Sequence, residues 1–160
     1  MKQTSLAKWL KIIIFGIGIC GLIVYALVLP AFGQSFADSY HGEFDNCYWP
    51  WLIFLWATGI PCFIALIFAW KIAGNIGADK SFSSANAKLL KWISLLAAGD
   101  AAFFFMGNIV YLLLNINHPS IVLFSLIIEF IGIAIAVASA VLSHLVQKAA
   151  ALQEQSDWTI

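Results

Sequence analysis

Residues 121–146 read IVLFSLIIEFIGIAIAVASAVLSHLV, a long apolar stretch that contains a single acid, Glu129. An α-helix rises about 1.5 Å per residue, and the hydrocarbon core of a bilayer is about 30 Å thick, so a spanning helix needs about 20 apolar residues. This stretch is longer than that requirement. It therefore predicts a transmembrane helix, and the rest of the chain can be interpreted from it.

Three further stretches meet the same requirement, at residues 9–30, 49–73 and 89–115. The whole chain is 62% hydrophobic and only 10% charged, an apolar excess that a small soluble core cannot hide. Backbone groups inside lipid must bond within their own segment, so the spans are predicted to be helices. We expect one integral membrane domain over residues 1–160: an all-α, four-helix transmembrane bundle with a tail at 147–160. The short connection at 115–120 makes helices 3 and 4 an antiparallel hairpin.

The distribution of lysines predicts the orientation. The chain has eight lysines and no arginine, and no lysine falls in the segments 31–48 or 115–120. All of them lie at the N-terminal end, at or beside the second connection, or in the tail: Lys2, Lys8, Lys11, Lys71, Lys80, Lys88, Lys91 and Lys148. Because cytoplasmic segments carry the excess of positive charge, we expect both termini and the second connection in the cytoplasm.

Three residues with an acidic or amide side chain stand out inside the predicted spans: Asp100, Asn108 and Glu129. An acid at this depth is costly and usually faces other helices. Glu129 shares its helical face with a stripe of small or polar residues, namely Ser125, Gly132, Ala136, Ala140, Ser143 and Gln147. Asp100 shares its face with Gly107 and Tyr111.

Counting inward from the predicted membrane edges separates Asp100 from Glu129 by about 9 Å in depth, so we expect no direct contact. Asn108 is nearer in depth to Glu129 and is its expected partner. Two interpretations stay open for the two acids. They form a proton or cation relay, or they are neutral acids that are hydrogen-bonded within the bundle.

Other chemistries find little support in the sequence. His41, Glu43, Asp45 and Cys47 are metal-ligand types in the first connection, but their spacing matches no strong site, so we predict no metal and no cofactor. Catalytic and nucleotide-binding motifs are absent, which predicts a protein that is not an enzyme. The formal net charge is zero, and we therefore expect no direct binding of nucleic acid.

The segment between the second and third spans reads DKSFSSANAKLLK at residues 79–91, and Ser83 or Ser84 is a suitable N-cap for the third helix. This segment resembles the DUF2975 family of small four-span bacterial membrane proteins, in which a Phe-Ser dipeptide precedes an Asn, a Leu and basic residues. The tail, residues 152–160, resembles the acidic ending of that family, with Trp158 in place of the usual leucine and Ile160 in place of valine.

The resemblance implies a protein of the bacterial cytoplasmic membrane and provides no catalytic residues. It also implies a small helix-turn-helix regulator as partner, because such regulators often accompany the family. The expected contact residues are Phe82, Ser83, Asn86 and Trp158. The first hypothesis is thus a non-enzymatic membrane partner of a cytoplasmic transcriptional regulator. The alternative is a small proton- or cation-coupled transporter or channel subunit that uses Asp100 and Glu129; four helices enclose little space, so it would form a homo-oligomer.

Overall fold

The computed structural model describes residues 3–39 and 47–157. Its helices are α1 (Gln3–Ile23), α2 (Leu29–Ser39), α3 (Tyr48–Gly77), α4 (Ser84–Leu113) and α5 (Pro119–Asp157). A π-helical turn, Val24–Val28, joins α1 and α2 into one rod. Four rods in the described chain are long and apolar enough to cross a membrane: Gln3–Ser39, Tyr48–Gly77, Ser84–Leu113 and Pro119–Ser156. The predicted all-α protein with four transmembrane helices is confirmed.

The first rod ends later than the predicted end of the first span. The sequence predicted that the first span ends at Pro30 and that a connection begins at Ala31, but the helix continues to Ser39. Proline normally breaks a helix because it lacks an N–H group and because its ring collides with the preceding turn. Here a π-helical turn immediately before Pro30 accommodates the missing N–H group, and the rod extends about two and a half turns beyond the predicted end.

Hydrogen bonds explain how the rod passes Pro30. The Leu29 N–H donates to the Val24 carbonyl, five residues back. The Tyr25 carbonyl would then accept from the amide of the next residue. That amide belongs to Pro30 and has no hydrogen. The Trp56 indole N–H of α3 donates to the Tyr25 carbonyl instead, at 3.0 Å. A side chain from another helix thus satisfies a backbone group that lipid could not.

The helices pack in a row rather than around a common axis. The first rod lies on α3, α3 lies on α4, and α4 lies on α5. Within the described residues, the close backbone contacts of α5 are all with α4. Consequently much of every helix faces outward, and this outward surface is dominated by large apolar side chains such as those a bilayer would cover.

The α4–α5 hairpin confirms the predicted antiparallel pair. The Ser94 hydroxyl donates to the Ala136 carbonyl at 2.8 Å, and the Ser143 hydroxyl donates to the Ala87 carbonyl at 2.7 Å. Ala136 is itself buried, and so are two other small residues of α5, Ser125 and Ser139. Gly132, Ala136 and Ser143 of the predicted small-residue stripe therefore meet α4. Ala140 and Gln147, which were predicted to share that face, are exposed.

Aromatic packing joins α3 to α4. Phe54 of α3 is buried among the rings of Phe103, Phe104 and Tyr111, with centroid separations of 5.2–6.0 Å. The same ring lies over Gly107, where an added Cβ would overlap Phe54. Tyr111 and Gly107 were predicted to share a face with Asp100, and this is the face that meets α3.

Tryptophans mark the two ends of the row. Trp9, Trp70 and Trp92 are exposed toward the lysine-rich end, where the Lys11 ammonium lies 5.4 Å from the Trp70 ring centroid. Trp49 is exposed at the other end. Amphipathic rings favour the membrane–water boundary, so the two groups bracket the apolar middle of the rods.

Candidate functional site

The connection between α3 and α4 is short and ordered by hydrogen bonds. The Lys80 N–H donates to the Asn75 carbonyl at 2.9 Å, and Asp79 adopts a left-handed conformation with φ 61°. The Ser83 hydroxyl accepts the Asn86 N–H at 3.3 Å and caps α4. The predicted cap at Ser83 or Ser84 is thus confirmed at Ser83.

Asn86 fixes this connection from inside. Its side chain is only 1% exposed. The amide nitrogen donates to the carbonyls of Lys80 and Ser81, at 3.1 and 3.0 Å, and the amide oxygen accepts from Asn75 at 2.7 Å. One side chain therefore binds two points of the connection to the last turns of α3.

The residues predicted to contact a partner have different positions. Phe82 lies on the outside of the connection and is 61% exposed. The Ser83 hydroxyl is already bonded to the Asn86 N–H, and the Asn86 side chain is buried. Both side chains therefore hold the connection in place and offer little surface to a partner. Trp158 lies outside the described residues. Beside the connection, the Ser81 hydroxyl is 3.5 Å from the Gln3 side-chain oxygen, which places the start of α1 next to it.

Asp100 lies inside the row and faces α3. The Cys62 thiol donates to one carboxyl oxygen of Asp100, with a sulfur–oxygen distance of 3.6 Å. The other oxygen is buried and has no hydrogen-bond partner among the described residues. The sequence did not single out Cys62 as a partner, because it was interpreted as a small apolar residue.

Tyr25 and Thr58 extend this group toward the first rod. Their hydroxyl oxygens are 3.3 Å apart, and Thr58 donates to the Leu55 carbonyl, so Tyr25 is the donor. The Tyr25 ring rests on Gly59, where a Cβ would come within 3.0 Å of the ring. Thr58 and Cys62 are four residues apart, a spacing that places both on one face of α3 and could have predicted their proximity.

Glu129 is half-buried and makes no hydrogen bond to another described residue. Two pairs fix the register of α5 against α4: Ser94 opposes Ala136, and an added Cβ on Gly132 would lie 3.7 Å from the Ala101 Cβ. Because the helices are antiparallel, counting back from Gly132 to Glu129 means counting forward from Ala101. Glu129 therefore lies opposite residues 101–104. This register places it within about one helical turn, about 5 Å, of the depth of Asp100. The predicted separation of about 9 Å was too large, because the small-residue stripe, not the membrane edges, sets the register.

Asn108 has different partners from the one predicted. It is 3% exposed; its amide nitrogen donates to the Phe104 carbonyl at 2.9 Å, and its oxygen accepts from Asn117 at 2.9 Å. The prediction that it pairs with Glu129 is therefore wrong. Asn117 lies in the α4–α5 turn, so this bond closes the hairpin and makes Asn108 a structural residue.

No group of three or more metal-ligating side chains occurs in the part of the chain that the structure describes. Of the predicted ligand types in the first connection, His41, Glu43 and Asp45 lie outside the described residues. Cys47, at the start of α3, is a free thiol.

Comparison with known proteins gives a family and a relative. A family described as "Protein of unknown function (DUF2975)" matches residues 33–160. The chain is also 31% identical over 156 residues to the "Uncharacterized membrane protein YoaS" of Bacillus subtilis (strain 168), covering 95% of this chain and 96% of the relative. No solved structure matches it. The match over most of the chain confirms the resemblance that residues 79–91 indicated, and the chain belongs to the DUF2975 family of membrane proteins.

Proposed function

We propose that this membrane protein is a non-enzymatic docking protein of the bacterial cytoplasmic membrane, whose α3–α4 connection binds a small cytoplasmic protein. The observation that supports the proposal is the position of Asn86. It is buried and fully bonded, and the connection that it fixes presents Phe82 outward.

A fixed connection favours binding for a physical reason. Ordering a mobile loop at an interface reduces affinity, and a loop that is already ordered avoids that loss. An exposed aromatic side chain on a rigid support is suited to fill a pocket in a partner. Phe82 has both properties.

The charge around Phe82 indicates the kind of partner. The exposed pair Asp79 and Lys80 precedes Phe82, and the exposed Lys88 and Lys91 follow it on α4, so the net charge is positive. The partner surface should therefore combine an apolar pocket with acidic groups. We propose a small helix-turn-helix regulator as the partner, on the family resemblance of residues 79–91. The protein would then hold such a regulator at the membrane.

The test is in-cell photocross-linking. A photoreactive amino acid is placed at position 82, and a matched one at Phe124, which is 75% exposed near the α4–α5 turn. The cross-linked proteins are identified by mass spectrometry. We expect a small DNA-binding protein at position 82 and not at position 124.

A substitution provides the quantitative test. Phe82→Ala should weaken capture of that partner by about tenfold or more, as for a central interface residue, whereas Phe124→Ala should leave it unchanged. Equal capture by Phe82→Ala and the unsubstituted protein, or the same cross-linked proteins at both positions, would contradict the proposal.

The alternative, a proton- or cation-coupled transporter or channel subunit, is supported by Asp100 and Glu129. One oxygen of Asp100 is buried without a partner, and Glu129 lies within about one turn of it in depth. The open row would need a second copy to enclose a path, so this function requires a homo-oligomer. The test is proton flux into proteoliposomes with Asp100→Asn and Glu129→Gln. Absence of flux in the unsubstituted protein under an imposed gradient would rule it out.

A further inference from the structure

A groove of about 540 Å³ opens between α4 and α5 near the lysine-rich end of the row. Ser94 and Ser143 line its floor, and their hydroxyl groups donate to carbonyls of the facing helix. Toward the end of the row its walls are polar, with Lys88 and Lys91 on α4 and His144 on α5.

The groove has a polar part and an apolar part. Leu95 of α4 and Ala140 of α5 line it about one turn further toward the middle of the row than Lys91 and His144. No carboxylate is among the described residues that line it. A ligand that fits must therefore have a negative group at the end of the row and an apolar part that extends inward.

We propose that this groove binds the headgroup of an anionic phospholipid, with the phosphate between Lys88, Lys91 and His144. An acyl chain then follows Leu95 and Ala140 into the bilayer. Basic pockets between transmembrane helices on the cytoplasmic side are suited to anionic headgroups, because lysines there meet phosphate at the level of the lipid surface. The groove shares Lys88 and Lys91 with the charge near Phe82 but does not include Phe82. Phe82→Ala, which should leave lipid binding unchanged, therefore separates this inference from the docking function.

A lipid fits the groove better than a free anion does. The groove is open along its side, so a free phosphate would keep most of its water, whereas the acyl chain of a lipid adds apolar contact along Leu95 and Ala140. The methylene groups of each lysine side chain lie along apolar surface while the ammonium group contacts the headgroup, which is the usual arrangement of lysine at a membrane surface.

The experiment is native mass spectrometry of the purified full chain, released from detergent after titration with dioleoyl-phosphatidylglycerol. Dioleoyl-phosphatidylcholine and inorganic phosphate are titrated in parallel. We expect one phosphatidylglycerol to bind with higher affinity than phosphatidylcholine, and no binding of inorganic phosphate over the same range. Equal binding of the two lipids, or binding of inorganic phosphate alone, would overturn the proposal.

Two variants locate the site. A lysine near an anionic surface contributes about fivefold to affinity, so Lys88→Gln/Lys91→Gln should weaken phosphatidylglycerol binding about 30-fold. The matched control, Lys8→Gln/Lys71→Gln, removes the same charge outside the groove and should change affinity little. Ala140→Phe fills the apolar part without changing charge and should also abolish the tight binding.

The variants together distinguish a specific lipid site in the groove from nonspecific attraction of anionic lipid to the lysine-rich end. Loss in the groove pair and in Ala140→Phe, with retention in the control pair, supports the proposal. An equal loss in both lysine pairs, or full binding by Ala140→Phe, would show diffuse attraction to the lysine-rich end and overturn it. Circular dichroism of each variant checks that the helices are intact, and Ala140→Phe keeps the test valid if the lysine pair does not fold.

Discussion

Asn86→Ala should release the α3–α4 connection. The substitution removes three side-chain hydrogen bonds, to Asn75, Lys80 and Ser81. Each contributes about 1 kcal/mol net, so the free energy of opening the connection should fall by about 3 kcal/mol. The cap from Ser83 uses the backbone of Asn86 and survives the change. The effect should therefore be confined to the connection.

The assay is hydrogen exchange of the purified protein, read at the connection by mass spectrometry. The Lys80 amide is protected by its bond to the Asn75 carbonyl, so it reports opening directly. A loss of about 3 kcal/mol corresponds to exchange faster by about a hundredfold, at about 1.4 kcal/mol per tenfold. The turn between α4 and α5 is the internal control and should exchange as before.

A double-mutant cycle sharpens the test. Asn75→Ala alone removes one of the three bonds and should cost about 1 kcal/mol. In the Asn86→Ala background the same substitution should cost almost nothing, because its partner is already gone. Additive effects, or unchanged exchange in Asn86→Ala, would refute the role assigned to this side chain.

Two further predictions concern packing. Trp56→Phe leaves the Tyr25 carbonyl without a donor and should destabilise the protein by about 1–3 kcal/mol in a reversible unfolding assay in mixed micelles. Adding Pro30→Ala restores an N–H group and should recover part of that loss. If the double variant recovers nothing, the explanation of the π-helical turn is contradicted. Gly107→Ala places a methyl group against Phe54 and should cost about 1–3 kcal/mol in the same assay. Gly99→Ala, where the new Cβ meets open space, should be neutral or slightly stabilising, and equal effects of the two would contradict the packing.

The sequence predicted the parts of the fold that depend on local composition. Apolar length located the four rods, a hydroxyl before a helix located the cap at Ser83, and a short turn predicted the α4–α5 hairpin. These features depend on residues close together in the chain. The middle of the small-residue stripe around Glu129, Gly132 and Ala136, does meet α4, whereas Ala140 and Gln147 are exposed.

The features that the sequence did not predict depend on distant residues. The first rod passes Pro30 because Trp56 supplies a donor from another helix. Asp100 meets Cys62, and Asn108 meets Asn117 rather than Glu129, because helix register sets those neighbours. Apolar patterning locates a helix in the membrane but does not determine its rotation or its axial position against a neighbour.

Docking of a cytoplasmic partner requires the α3–α4 connection to lie in the cytoplasm, and cysteine labelling tests this orientation most directly. The three native cysteines are replaced by serine, and single cysteines are introduced at Lys80 and at Ser120. A membrane-impermeant maleimide is then added to intact cells. We predict labelling at position 120 in intact cells and at position 80 only after permeabilisation. Labelling of position 80 in intact cells would contradict the orientation, and with it the docking of a cytoplasmic partner.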